Sequence, residues 1–230
     1  MLELTDSNKK ELAYLIGAFI GDGYYARPDK YGHTRICFSS SDKEFVFKIK
    51  DIIKNIFSLD TGLSIDKLSL KNPFWRDHYR TSSRSLYRLL MAYLPDKNSV
   101  PSFVRGGSLQ IKSGFLSGFF DAEGGVCIST IKSRNAIDRR LYCHNSNLRL
   151  LYEVKSYLKE MDIDSFIQNG KGAYSLNVWG YKNLVNFKNL IGFTINRKEE
   201  KLFEAICSYK VIRKKYRNMK LMLKNNMEAD

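Results

Sequence analysis

Leu15-Ile16-Gly17-Ala18-Phe19-Ile20-Gly21-Asp22-Gly23 and Leu116-Ser117-Gly118-Phe119-Phe120-Asp121-Ala122-Glu123-Gly124 are two versions of one pattern. Each is an apolar segment with small residues four apart, Gly17 and Gly21 in the first copy, Gly118 and Ala122 in the second. Each closes on a carboxylate followed by glycine, and the two carboxylates stand 101 positions apart (123 − 22). Residues at i and i+4 share a helix face. Small residues on that face let a second helix approach to backbone contact, a steric rule best documented in membranes. A glycine inside a helix costs roughly 1 kcal/mol against alanine, so Gly17, Gly21 and Gly118 need a packing reason. If the two segments pack on each other, Asp22 and Glu123 emerge together at the C-terminal ends. The helix dipole is negative there, and the two acids repel each other. A bound divalent cation resolves both conflicts. Either copy alone reads as a core helix with a glycine cap and a solvated acid. The repetition of the whole pattern argues against that reading.

The chain has 230 residues, enough for one large domain or two small ones, with 43% hydrophobic and 13% aromatic residues. That content supports a packed core. The formal net charge of +14 points to a polyanionic partner, with nucleic acid ahead of an anionic membrane surface. Cys37, Cys127, Cys143 and Cys207 show neither zinc-ligand spacing nor a disulfide framework, which predicts reduced thiols and an intracellular setting. The longest apolar run, Leu12 to Gly21, is too short to cross a bilayer. The N-terminus lacks the pattern of a signal peptide.

Outward from the motifs, the same element order is read twice. Thr5, Asp6 and Ser7 are capping types that start the first motif helix. Tyr24–Arg27 and His33–Ser40 read as strands about a turn at Pro28–Gly32, with Ile36 and Phe38 on one face and Arg35, Cys37 and Ser39 on the other. Ser41 or Asp42 caps a helix over 43–57, two further strands lie within 63–70 and 76–81, and a third helix starts at Ser83. After the second motif, strands are expected at Val126–Lys132 and Arg139–His144, with a helix capped by Asn145 or Ser146. A hairpin over 163–179 and a helix at Tyr181–Leu190 follow. The expected organisation is an N-terminal half over 1–95, a connector over 96–111, a C-terminal half over 112–196, and a basic helical tail over 197–230. Between residues 197 and 226 the chain carries ten Lys/Arg against three Glu, so half of the net charge lies there. A duplicated order of this kind makes a pseudo-dimer in one chain.

The two motif copies resemble those of the LAGLIDADG homing endonucleases, in the single-chain type that carries both. The second copy is close to the family pattern. The first departs at its sixth position, where Ile20 stands in place of the acid that Asp121 keeps. That difference reads as drift between copies, because the metal-binding position is the eighth, Asp22 and Glu123. The resemblance implies an α+β, pseudo-two-fold duplicated αββαββα fold, with two antiparallel saddle-shaped sheets around a central two-helix interface. It implies a Mg2+-dependent endonuclease, with Mn2+ able to substitute, that hydrolyses phosphodiesters across the minor groove and leaves short 3′ overhangs. The backbone carbonyls of Gly21 and Ala122 are candidate further ligands. Lys97 and Lys198 are again 101 apart (198 − 97), each after the third helix of its half. The family places a basic residue there that assists cleavage, a role carried to Lys198 and to Lys97. As plain surface lysines they would carry none.

A two-stranded ribbon fits the major groove of double-stranded DNA, where all base pairs are distinguishable. The candidate DNA-binding residues of the first half are Arg27, Lys30, His33, Arg35, Lys67, Lys71, Arg76, His78 and Arg80. Those of the second half are Lys132, Arg134, Arg139, Arg140, Tyr142, His144, Gln168, Lys171 and Asn177. Singly, each is a solvent-exposed or phosphate-contacting side chain before it is a base reader. The two sets differ almost everywhere, which predicts an asymmetric site bound by a monomer acting as a pseudo-dimer. The alternative is an intron-encoded maturase of the same fold that binds its host intron RNA. A non-catalytic regulator is expected to have lost the acids. An intein would carry Cys or Ser first and His-Asn last, which this sequence does not. The setting expected is the cytoplasm or nucleoid of a prokaryote, or an organelle matrix.

Overall fold

The computed structural model describes residues 5–66, 78–93, 97–134, 136–170 and 172–209, with the backbone alone at Asp66, His78, Leu89, Ala92, Tyr93 and Arg134. The first half runs α1 (Asp6–Asp22), β1 (Gly23–Tyr25), β2 (Ile36–Ser40), α2 (Lys43–Phe57), β3 (Gly62–Asp66), β4 (His78–Ser83) and α3 (Arg84–Tyr93). A short helix, α4 (Ser102–Arg105), lies between the halves. The second half repeats the order as α5 (Leu109–Glu123), β5 (Gly124–Ile131), β6 (Ala136–Asn145), α6 (Leu148–Glu160), β7 (Phe166–Asn169), β8 (Tyr174–Trp179) and α7 (Tyr181–Leu190). A last helix, α8, covers 196–209. The expected αββαββα order is therefore present twice. The second motif helix begins at Leu109, three residues inside the stretch read as connector, because Ser108 takes the extended N-cap conformation.

Each half makes a four-stranded antiparallel sheet, β1-β2-β4-β3 and β5-β6-β8-β7. Both motif helices pass straight into the first strand of their sheet. Gly23 and Gly124 mark these junctions in extended backbone, with φ of −74° and −98°. Glycine is needed there for room rather than for a left-handed turn. A β-carbon would stand 2.1 Å from the Phe19 ring at Gly23 and 2.6 Å from the Phe120 carbonyl oxygen at Gly124. The long helices α2 and α6 cover their sheets with apolar faces, Phe45, Val46, Ile49, Ile52, Ile53 and Ile56 in one and Leu150, Leu151, Val154, Tyr157 and Leu158 in the other. The cap of α6 is Asn147 rather than Asn145 or Ser146. Its Oδ1 accepts from the Leu150 amide at 3.1 Å.

The halves meet along α1 and α5. A β-carbon at Gly17 would lie 2.1 Å from the Phe115 carbonyl oxygen, one at Gly118 2.0 Å from that of Tyr14, and one at Gly114 2.4 Å from that of Lys10. At Gly21 it would meet the Ala122 β-carbon at 2.4 Å. Contacts advance along both helices in the same direction, so they are parallel and end together. Gly114 extends the small-residue stripe one turn earlier than the motif alone indicated. Phe19, Phe115, Phe119 and Phe120 are fully buried around this seam.

Gly118→Ala gains roughly 1 kcal/mol of helix propensity but drives a methyl group into the Tyr14 carbonyl. Overpacking of this kind costs about 1–3 kcal/mol even against side chains. Denaturant unfolding should show Gly118→Ala destabilised by about 2 kcal/mol or more. Gly62→Ala, where a β-carbon meets nothing within 4 Å, should be neutral or slightly stabilising.

Candidate active site and nucleic-acid interface

Because α1 and α5 end together, Asp22 and Glu123 are brought to one place, as the motif spacing required. Glu123 is half-buried and accepts from Asn145 Nδ2 at 3.3 Å. Burial, and then the charge of Asp22, raise its carboxyl to about 7, against the opposing pull of Lys97 and Lys198. The site thus holds two acids that cannot comfortably ionise together.

Two ammonium groups answer this. Lys97 Nζ donates to the carbonyls of Gly21, at 3.4 Å, and of Gly23, and lies 5.5 Å over the Phe19 ring. Lys198 Nζ donates to the carbonyls of Asp121 and Phe120 and lies 5.8 Å over the Phe193 ring. Each lysine therefore binds the carbonyl end of its own half's motif helix, where the dipole favours a cation. Burial pulls the pKa of both downward, and the carboxylates around them oppose it, Glu123 and Asp22 at Lys97, Asp121 and Asp42 at Lys198. The Gly21 carbonyl named as a candidate ligand is thus shared with Lys97. Ala122 lines the cavity beside Asp22.

The sixth motif position has a use that the sequence reading missed. Asp121 is buried and accepts from Tyr14 Oη at 2.7 Å, from the Thr194 amide at 3.1 Å, and from the Thr194 hydroxyl. It ties the segment ahead of Lys198 to the seam. Ile20 in the first half is simply buried. The difference between the copies is a polar anchor on one side and a packed side chain on the other, rather than drift.

A cavity of about 420 Å3 opens next to the acids, lined among others by Asp22, Ser40, Asp42, Tyr142, Lys198 and Lys201. A second, of about 320 Å3, lies on the open face of the second sheet and shares Tyr142 and Lys201 with the first. Register defines that face. Arg140, Tyr142 and His144 of β6 stand opposite Trp179, Asn177 and Ser175 of β8, and Gln168 of β7 stands opposite Ser175. Asn177 is its floor, 1% exposed, with its Nδ2 bound to Gln168 and Ser175. Arg140 pairs with Asp138 at 3.4 Å. Lys132 is exposed at the β5–β6 turn.

Arg139 does not belong to this face. Neighbours on a strand point to opposite sides, so Arg139 goes inward with Leu141 and Cys143. It is 5% exposed, donates to Ser208 and to the Ile137 carbonyl at 3.0 Å, and stacks 4.5 Å over the Tyr209 ring. It fastens α8 to the sheet and is withdrawn as a DNA contact. In the first half, Arg80 and Arg35 flank Cys37, on the sheet face opposite Ile36 and Phe38. His33 is braced to Asp29 at 3.3 Å, Lys30 lies over the Tyr31 ring, and Arg27 is exposed in the same loop. Lys67, Lys71, Arg76 and Lys171, and the side chains of His78 and Arg134, lie outside the described residues.

A profile described as a LAGLIDADG-like domain matches residues 9–91 and again residues 110–192. The chain belongs to the LAGLIDADG family. An uncharacterized protein of Methanocaldococcus jannaschii is 27% identical over 214 residues, covering 85% of this chain and 71% of that protein. A probable translation initiation factor IF-2 of the same organism is 26% identical over 86% of this chain, which spans only 16% of that protein's length. Among solved structures, the I-DmoI complex with DNA and Mn gives a TM-score of 0.57 at 21% identity, over 80% of this chain and 97% of that chain. Full-length DUF199/WhiA from Thermotoga maritima gives 0.60 at 17% identity, over 99% of this chain and 70% of that chain. These likenesses show the fold, a duplicated LAGLIDADG architecture.

The raised Glu123 carboxyl has a consequence for stability. Below its ordinary value of 4.5 the group is neutral folded and unfolded, and nothing is lost. Between that value and about 7 the unfolded state ionises first, so the folded state loses stability as pH rises. Without divalent ions, Glu123→Gln should therefore be more stable than the parent at pH 8, by on the order of 1–2 kcal/mol after allowing for its partial exposure. The difference in Tm should vanish near pH 4.

Proposed function

We propose that this LAGLIDADG protein is a site-specific endonuclease that makes a double-strand break in an asymmetric DNA target. The observation that carries this reading is the convergence of Asp22 and Glu123, one from each half, between Lys97 and Lys198. A DNA-binding protein that does not cut has no use for two acids beside a polyanion. The donor set suits a small, hard cation. It offers two carboxylates under mutual strain, with carbonyl oxygens nearby and room for water and phosphate oxygens. Among the described residues no cluster of three or more acidic, histidine or cysteine side chains competes with it. Asp22 and Glu123 would hold Mg2+, or Mn2+ in its place, which supplies activation of water and charge neutralisation at the scissile phosphate.

The chain's own residues do the rest. Lys97 and Lys198 hold positive charge at the helix ends, where the transferring phosphoryl group gathers negative charge. The Asn145 amide fixes one Glu123 oxygen. Arg140, Tyr142, His144 and Gln168 on one sheet, with Arg35 and Arg80 on the other, present different polar faces to the two half-sites. One chain supplies both halves, so no second copy is needed.

A randomised duplex library incubated with the protein and Mg2+ should yield a recurrent cleaved sequence. Asp22→Asn and Glu123→Gln should lower cleavage of that duplex by more than roughly 100-fold while binding it normally. Mg2+ should raise the Tm of the parent and of neither variant. Recovery of no cleaved duplex, with tight binding to RNA instead, would favour the maturase reading. In a salt series, Arg140→Ala should weaken duplex binding, whereas Arg139→Ala should lower stability and leave the affinity unchanged.

A further inference from the structure

The segment that carries each lysine is also tied to the opposite half. Arg197, next to Lys198, makes a two-pronged ion pair with Asp42, both contacts at 2.6 Å. Asp42 is the N-cap residue of α2 in the other half. Asn196 adds a backbone contact of 2.7 Å and a side-chain contact of 3.1 Å to Glu44, in the first turn of the same helix. The opposite lysine repeats the arrangement with different chemistry. The carbonyl of Asn98, next to Lys97, accepts from Asn147 Nδ2 at 2.8 Å. Asn147 is the N-cap residue of α6, again in the other half. Further along the connector, Arg105 forks onto Glu153 of α6 with two contacts of 3.0 Å.

We propose that Asp42 and Asn147 are positioning residues, each holding in place the lysine that the opposite half contributes to the cleavage centre. The inference rests on the endonuclease reading above. Its physical content is cross-bracing. Each of these helices starts within a few residues of a strand of its own sheet, β2 ending at Ser40 and β6 at Asn145. A half that seats on DNA thereby fixes the lysine belonging to the other half. Asn147 acts through its neighbour Asn98, and Asp42 acts through Arg197 while its charge also supports Lys198.

The test reads the two strands separately. The duplex recovered by the cleavage selection is labelled with a different fluorophore on each strand and cut with Mg2+ by the full chain. Asp42→Ala removes the ion pair. Asn147→Asp removes the donor to Asn98 while keeping the oxygen that caps α6. Each variant should slow one strand by about 10- to 100-fold, the scale set by small misplacement of a reacting group. The two variants should slow opposite strands, so that oppositely nicked duplexes accumulate. Binding in EDTA should stay within about threefold of the parent, and the double variant Asp42→Ala/Arg197→Ala should be no slower than the slower single. If Asp42→Ala does not fold, Arg197→Lys keeps the charge but loses the fork and should show the same strand preference. Equal slowing of both strands, slowing of the same strand by both variants, or no slowing would overturn the proposal. Cleavage of no duplex by the parent would overturn the endonuclease reading itself, and this inference with it.

Discussion

At Gly17 the first atom a β-carbon would meet is the carbonyl oxygen of Phe115, and at Gly118 it is that of Tyr14, at 2.1 and 2.0 Å. Two backbones in contact over several turns leave little freedom in how the helices lie. They must run side by side in register, because a shift of one residue would bring larger side chains into the seam. That constraint places the ends of α1 and α5 together, and everything chemical follows from where they end. Gly23 and Gly124 then let each chain turn at once into its sheet, because nothing larger fits against Phe19 and Phe120. Both sheets therefore spring from the same point as the acids, and a ligand lying across the two open faces passes over Asp22 and Glu123.

Bringing two helix C-termini together concentrates negative potential from the dipoles and the two carboxylates. The fold balances part of it internally. Lys97 and Lys198 each bind the carbonyl end of one helix and are themselves held below their ordinary pKa by burial. Burial first, and the charge of Asp22 that is left unbalanced second, raise the Glu123 carboxyl. A centre that is under-neutralised by protein groups is suited to an added cation and to a substrate that brings its own phosphates. It is poorly suited to standing empty as a structural seam, which is why the acids are hard to explain by packing alone.

The motif helices, the element order, and the pairing of Lys97 with Lys198 were legible because each rests on local periodicity or on an offset repeated within the chain. Strand faces were legible only in part. Isoleucine and phenylalanine at 36 and 38 announce an inward face, but Asp138-Arg139-Arg140 contains nothing that fixes the phase. Only the register with β8 shows that Arg139 points in and Arg140 out. The contacts between Arg197 and Asp42 and between Asn196 and Glu44 span more than 150 residues, and no spacing rule announces them. Asp121 was visible as a departure from symmetry, but its partners Tyr14 and Thr194 lie 107 and 73 residues away. Gly114 could have been found, since it stands four before Gly118 as Ala13 stands four before Gly17.

Duplication followed by divergence explains why the two sides solve one problem with different bonds. In a symmetric dimer any change at the brace would be made twice, and both lysines would move together. In a single chain, one brace can be an ion pair, Asp42 with Arg197, while the other is an amide on a carbonyl, Asn147 with Asn98. The anchor ahead of one lysine can be Asp121 with Thr194, while the other half keeps a buried Ile20. The seam cannot diverge in this way, because backbone contact tolerates only small residues on both sides. Hence the glycines of the seam and the acids at its end keep the pattern of the repeat. The open sheet faces have lost it, with Arg140, Tyr142 and His144 on one side and Arg35, Cys37 and Arg80 on the other. The surfaces free to diverge include those that would distinguish one half of a target from the other, and the braces that carry no sequence information.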